Sequence, residues 1–69
     1  MRIKYFEDTD TTLVELSTNP PVETRELNEN IYLDLDSSGN VVSITIEHAS
    51  ASSDMREFLY QRIPAAMST

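Results

Sequence analysis

Residues 34–39, DLDSSG, carry the pattern that opens a calcium-binding loop. Asp34, Asp36 and Ser38 would supply the first, third and fifth oxygen ligands, and Gly39 would give the sharp turn. The twelfth position is a threonine, which cannot act as the bidentate carboxylate that completes such a loop. Strands are predicted on both sides of the segment, so we expect polar-face carboxylates that lead into a turn.

His48 is the only histidine of the chain. A metal-binding or metal-sensing protein would have to combine His48 with Asp34 and Asp36. Such a protein is the alternative to the main functional hypothesis given below. The neighbouring Glu47 points to the opposite face of a strand, and one histidine without a second histidine or a cysteine makes a poor site. A small hydrolase would use His48 as general base, with a carboxylate within hydrogen-bonding reach.

Other catalytic patterns are missing from the sequence. There is no cysteine, and a single glycine excludes a glycine-rich phosphate loop. No serine or threonine lies in the context of a nucleophile elbow. We therefore expect no enzyme activity, no catalytic residue and no cofactor.

Two alternating segments, 31–36 and 42–47, lie on either side of a turn at residues 37–40 that contains Gly39 and Asn40. A period of two on both sides of such a turn predicts a β-hairpin with one apolar and one polar face. The aliphatic side chains expected to share the apolar face are Ile31, Leu33, Leu35, Val42, Ile44 and Ile46. This hairpin defines the class of fold and leaves the chemistry open.

Three further strands are predicted at residues 2–6, 11–16 and 22–27, the last of them a charged edge strand. Asn19 and two prolines make the connection between the last two a loop. The prediction is a small α+β domain, in which residues 1–48 form an antiparallel meander of four to five locally connected strands.

One C-terminal helix is predicted over residues 53–63. Asp54 and Glu57 have the spacing of a capping pair, and Pro64 would end the helix. The apolar residues at helical spacing are Met55, Phe58, Leu59 and Ile63. We expect this helix to pack on its own sheet, with a partner protein as the alternative. Residues 64–69 are expected to form a tail of the same single domain, 1–69.

The formal net charge is −7, from 12 acidic and 5 basic residues. This charge repels nucleic-acid phosphates and anionic lipids, so we expect neither partner. A basic protein is favoured electrostatically, and an acidic occluding face is expected at Glu15, Glu23, Asp34 and Asp36. So thin a core also predicts a homodimer, through an exposed strand edge. The lack of cysteine and of a signal peptide or apolar span favours a cytoplasmic location.

Several short motifs resemble one family when taken in order. They are Tyr5, Asp10, TLVELS at 12–17, ETREL at 23–27, LDLD at 33–36, Gly39, Val41-Val42, Ile44, Ile46 and Ala49-Ser50. Their order and spacing resemble family 2283 of the domains of unknown function, short and mostly prokaryotic proteins, over residues 1–50. The resemblance implies the sheet and transfers no catalytic residue. It also implies an antitoxin-like role, because members often look like small partners encoded beside toxin-like proteins.

The sequence departs from the pattern of that family at three places. Thr12 stands where a larger aliphatic residue is usual, which thins the core. Ser43 and Thr45 replace a common Gly and Glu, and Glu47 and His48 replace an apolar–acidic pair. The leading hypothesis from the residues and the resemblance is a non-enzymatic protein-interaction module.

Overall fold

A computed structural model of the chain describes residues 1–66 and contains five strands and a short helix. They are β1 (Arg2–Phe6), β2 (Thr11–Glu15), β3 (Glu23–Asn28), β4 (Ile31–Leu35), β5 (Val41–Ile46) and α1 (Ala49–Ser52). All strand pairs are antiparallel, in the order β1-β2-β5-β4-β3. The predicted α+β class is confirmed, and every strand lies within one residue of its predicted ends.

The connection between β2 and β3 is the one that is not local. β3, β4 and β5 form a meander, but β5 then inserts beside β2, so that β2 and β3 lie apart. The loop between them crosses the ends of β4 and β5. Leu16 and Ser17 donate their N–H groups to the Val42 carbonyl at 2.8 and 3.3 Å, and the Val22 N–H donates to the Leu35 carbonyl at 2.8 Å. The crossing loop therefore buries Leu35 and Val42.

The position of β5 follows from its composition. β5 is the strand VVSITI, rich in β-branched aliphatic residues, and a central place gives it a neighbour on both sides. β3, whose sequence is ETRELN, is exposed along its whole length and forms one edge. Charged side chains on an edge strand discourage pairing with other sheets, as the sequence predicted.

The strand register puts the apolar side chains on one side of the sheet. Ile3 lies opposite Val14, Val14 opposite Ile44, Ile44 opposite Leu33, and residues directly opposite each other share a face. Ile31 lies opposite Ile46 in the same way. We call this surface the apolar face; it comprises Ile3, Val14, Ile31, Leu33, Ile44 and Ile46. The predicted common face of the two hairpin strands is confirmed for Ile31, Leu33, Ile44 and Ile46, whereas a register shift pairs Leu35 with Val41 in place of Val42.

The apolar face is only half-buried. Leu35, Val42 and Ala49 are the buried apolar residues among those described, whereas Leu33 and Ile44 are of intermediate exposure. The radius of gyration is 14.8 Å, against about 11 Å for a compact domain of this length. Residues 1–66 thus form an open sheet of one layer with an extended chain end.

The helix predicted over 53–63 is wrong in position and length. The only helix within the described residues is α1, and Ser53 after it is already extended at φ −144° and ψ 155°. The Asp54 carboxylate accepts hydrogen bonds from the backbone and guanidinium of Arg56, so the capping geometry does not form. An isolated helix of that length is marginal in water unless its apolar side is covered, and Phe58, Leu59 and Ile63 are exposed.

We call residues 53–66 the C-terminal arm. Met55 is its half-buried anchor, since its sulfur accepts a hydrogen bond from the Thr12 hydroxyl at 3.7 Å. Of the predicted tail, residues 64–66 are exposed and lack regular structure, and residues 67–69 lie outside the described residues. The described chain contains no helix long and apolar enough to cross a membrane.

Candidate functional site

Asp10 is the centre of the densest group of side-chain hydrogen bonds. The Tyr5 hydroxyl donates to its Oδ1 at 2.5 Å, and the Ser50 hydroxyl donates to its Oδ2 at 2.6 Å. The Ser50 N–H also points at this carboxylate, 3.1 Å from Oδ1. We call Tyr5, Asp10 and Ser50 the Asp10 cluster. All three belong to the motifs on which the family resemblance rests. The fold brings Ser50 to Asp10, which lies 40 positions earlier in the chain.

The backbone around the Asp10 cluster requires two residues with positive φ. Asp10 has φ 56° and His48 has φ 53°, in the left-handed region that non-glycine residues seldom enter and in which Asn, Asp and His are the most common. The Ala49 N–H donates to the Asp10 carbonyl at 2.9 Å. Asp10 thus ties the turn between β1 and β2 to the start of α1 by both backbone and side chain.

These contacts shift the pKa values of the partners in opposite directions. Hydrogen bonds from Ser50 and then Tyr5 lower the pKa of the Asp10 carboxyl, and the nearby His48 adds to the effect. The same bond to Asp10, with partial burial, raises the pKa of the Tyr5 hydroxyl. A carboxylate that is saturated by donors and hard to protonate is a weak general base. The cluster is suited to fastening chain segments, not to proton transfer.

The candidate metal ligands do not come together. Asp34 lies on the sheet face opposite the apolar face and accepts hydrogen bonds from Thr24 at 2.6 Å and Ser43 at 2.7 Å. His48 follows the far end of β5, so a strand of about 16 Å separates it from the turn that holds Asp36. Within residues 1–66 no group of three or more His, Cys, Asp or Glu side chains is placed to hold a metal ion.

Asp36 organises the turn between β4 and β5. Its Oδ1 accepts the N–H groups of Ser38 and Asn40, both at 2.9 Å, and its Oδ2 accepts the Asn19 amide of the crossing loop at 3.1 Å. The hydrogen bond from the Asn40 backbone is the main cause that lowers the pKa of this buried carboxyl. The sequence predicted carboxylates that lead into a turn at this place. Asp36 lies in such a turn, and Gly39 of the same turn has φ 83°.

Of the four carboxylates expected to form an acidic occluding face, only Glu15 and Asp34 share a face of the sheet, because both lie opposite Ser43. Glu15 pairs with Lys4 at 2.9 Å, and this contact lowers its pKa. Glu23 lies on the side of the apolar face and pairs with Arg25 at 2.6 Å. Asp34 is on the opposite face and Asp36 is buried. The sequence pattern missed this because alternation assigns faces only within a strand, whereas pairing and bulges decide the rest.

A different acidic surface forms at one end of the sheet. The turn between β1 and β2, the turn between β3 and β4 and the residues after β5 all lie at this end, where the Glu47 N–H donates to the Asn30 carbonyl at 2.7 Å. None of these connections contains Lys or Arg. The charge of Glu47 raises the pKa of the nearby Tyr32 hydroxyl. We call this surface the acidic end; its carboxylates are Glu7, Asp8, Asp10, Glu29 and Glu47.

The acidic end was not predicted from the sequence. Its members lie in three separate connections, and only the strand order shows that these connections meet. The signal available in the sequence was that Glu7, Asp8, Glu29 and Glu47 each fall just outside a strand that runs toward the same end. Arg56 of the arm lines the same groove as Glu7, and it is paired with Asp54 at 2.9 Å.

Fold and surface together define a small acidic protein with a one-layer antiparallel sheet. The family model described as "Protein of unknown function (DUF2283)" matches residues 2–50, and the chain belongs to that family. The match begins at β1 and ends at Ser50, so it includes the whole sheet and the Asp10 cluster and leaves the C-terminal arm outside. No curated protein and no solved structure matches the chain.

Proposed function

We propose that this protein is a non-enzymatic interaction module whose acidic end binds a cationic surface of a basic protein, in the manner of an antitoxin. The observation that carries the proposal is the collection of carboxylates from three connections at one end of the sheet, with no Lys or Arg in those connections. On a chain of net charge −7, this end attracts a basic partner most strongly.

The acidic end is suited to binding because three of its five carboxylates are exposed and the connections that carry them are held by a fixed scaffold. Glu7, Asp8 and Glu29 are exposed. The Asp10 cluster fastens the turn that carries Glu7 and Asp8, and the bond from Glu47 to Asn30 fastens the other two connections. Charges that are already positioned lose less conformational entropy when a partner binds.

Occlusion is the mechanism that this arrangement favours. The acidic end would cover lysine and arginine side chains that the partner uses elsewhere. Complementary charge raises the rate of association more than the affinity, and the effect falls with ionic strength because the screening length is about 8 Å at physiological salt. We place this interaction in the cytoplasm, a location with which a chain free of cysteine is compatible.

Charge reversal at the acidic end tests the proposal. The test variant is Glu7→Lys with Glu29→Lys, and the control is Glu23→Lys with Glu57→Lys, which changes the net charge by the same amount away from this end. Each protein is immobilised and exposed to native lysate at low salt. Bound proteins are identified by mass spectrometry, and the strongest is purified for calorimetric titration at two salt concentrations.

We expect the wild-type protein and the control to retain a basic protein that the test variant loses, with an affinity that falls as salt is added. Removal of two carboxylates from a charged interface should weaken binding by about tenfold or more. Equal retention by the test variant, or a bound protein without basic character, would refute the proposal.

A further inference from the structure

We propose that two copies of this chain pack their apolar faces against each other and form a two-layer sandwich. This association uses the sheet surface that the acidic end leaves free, so it does not depend on the proposed basic partner. The homodimer expected from the sequence involved a strand edge, whereas the structure points to a face.

The apolar face is extensive and is only partly covered in one copy. Its central members Val14, Leu33 and Ile44 are aligned across three adjacent strands and are half-buried, and Ile3 at the edge is 39% exposed. The arm crosses one side of this face, where residues 53–58 line a groove with Ile3, Val14 and Ile46, and Phe58 stays 67% exposed. Apolar surface of this kind on a sheet is normally covered by a second layer about 10 Å away.

The charges on the apolar face favour a second copy as the cover. The charged residues in register with this face are Glu23 and Arg25, which lie opposite Leu35 and Leu33 and pair with each other at 2.6 Å. The sheet residues of this face are therefore neutral in sum, although the chain carries a net charge of −7. The arm adds the paired Asp54 and Arg56 and the carboxylate of Glu57 on one side of it. Two copies can approach through it while Glu7, Asp8 and Glu29 remain at the ends of the sheet, in water.

A basic protein or a membrane fits this face less well. The cations of a basic protein would meet an aliphatic surface to which the sheet contributes one carboxylate, Glu23, which already has a partner. The charge of the chain repels anionic lipids. A two-fold arrangement needs only that the patch match itself, which an aliphatic face without an unpaired charge on the sheet allows.

The size of the face predicts a weak dimer. Five strands spaced about 4.8 Å apart, with a rise of about 3.3 Å over about five residues, present roughly 400 Å² on one face. Two such faces give a contact of about 800 Å², below the roughly 1,200 Å² at which standard specific interfaces begin and in the range of weak, transient association. We therefore expect a dissociation constant of the order of micromolar.

Sedimentation equilibrium of the full chain between about 1 and 200 μM tests this inference, with two matched variants of β1. Ile3→Lys places a charge on the apolar face. Phe6→Lys places the same charge on the opposite face of the same strand, at a residue of similar exposure, 39% for Ile3 against 46% for Phe6. Far-UV circular dichroism checks that both variants fold, and Ile3→Ser replaces Ile3→Lys if the latter does not.

We expect the apparent mass of the wild-type protein and of Phe6→Lys to rise with concentration from the 7.8 kDa of one chain to twice that value. The dissociation constant of the Ile3→Lys dimer should be at least about tenfold higher. A wild-type protein that stays monomeric throughout overturns the inference, as does equal weakening by both variants. Retention of the basic partner by Ile3→Lys would show that the acidic end functions even if the dimer does not exist.

Discussion

At the residue scale, the two most highly connected carboxylates hold separate parts of the chain together. Asp10 joins the turn between β1 and β2 to α1, and Asp36 joins its own turn to Asn19 of the crossing loop. The sequence suggested a turn at Asp36 but gave no indication of a bond to Asn19. Asp10 and Ser50 both belong to the motifs that resemble the family, but the sequence did not predict that they are in contact. Hydrogen bonds between residues so far apart depend on the strand order.

The acid stability of the fold should depend on these two groups. Contacts in the folded state lower the pKa of both carboxyls. A lowered pKa means that the unfolded chain binds protons more readily, so the stabilisation is complete above the ordinary carboxyl pKa of about 3.9 and is lost as the pH falls further. We expect the thermal midpoint to be level between pH 6 and 7 and to fall below about pH 4.

Asp10→Asn isolates one of these contributions. Asparagine accepts the positive φ and retains one oxygen acceptor, but it carries no charge. The midpoint of the variant should be lower than that of the wild-type protein at pH 7 and should fall less steeply in acid. Glu57→Gln, a change at an exposed arm carboxylate, is the control. Parallel pH profiles for Asp10→Asn and the wild-type protein would contradict this role for Asp10.

At the element scale, the strands could be predicted and the helix could not. Alternation in segments such as 31–36 located the strands because burial on one face imposes a period of two. The apolar spacing in 53–63 is equally regular, but Asp54 binds Arg56 and nothing within the described residues covers Phe58, Leu59 or Ile63. The apolar spacing identifies the side chains that a helix would bury. Whether another surface is placed to cover them depends on the whole fold.

A proline in the arm distinguishes the extended segment from a helix. Leu59→Pro would cost about 3 kcal/mol or more inside a helix. In the arm, where Leu59 is 68% exposed and the backbone has no regular structure, we expect a change in unfolding free energy below about 0.5 kcal/mol. Denaturation by urea measures the difference, with Ile44→Pro in central β5 as a variant that should prevent folding.

The turn between β4 and β5 should depend on the backbone of Gly39. Its φ of 83° lies where other residues are strained, although the space around it is open. Gly39→Ala should therefore lower the unfolding free energy by about 1 kcal/mol through backbone strain alone. Gly39→Asn, which tolerates the left-handed region better, should lose less. If both variants unfold at the same urea concentration as the wild-type protein, the turn has another conformation.

At the scale of the whole molecule, one sheet presents two surfaces with different properties. The apolar face is neutral and half-buried, and the acidic end collects exposed carboxylates such as Glu7 and Glu29. The composition predicted a thin core and an acidic protein. The separation of the two surfaces depends on the insertion of β5 between β2 and β4, which local sequence patterns do not encode.

Above all, we infer that solvent reaches the apolar face in one copy, beyond the side that the arm crosses. Methyl NMR with a soluble paramagnetic agent measures it, by comparing Val14 on that face with Leu13 on the other face of β2 in dilute and concentrated samples. We expect strong relaxation of Val14, Leu33 and Ile44 when dilute and protection of these three alone when concentrated. Protection of the three methyl groups at every dilution would contradict the account.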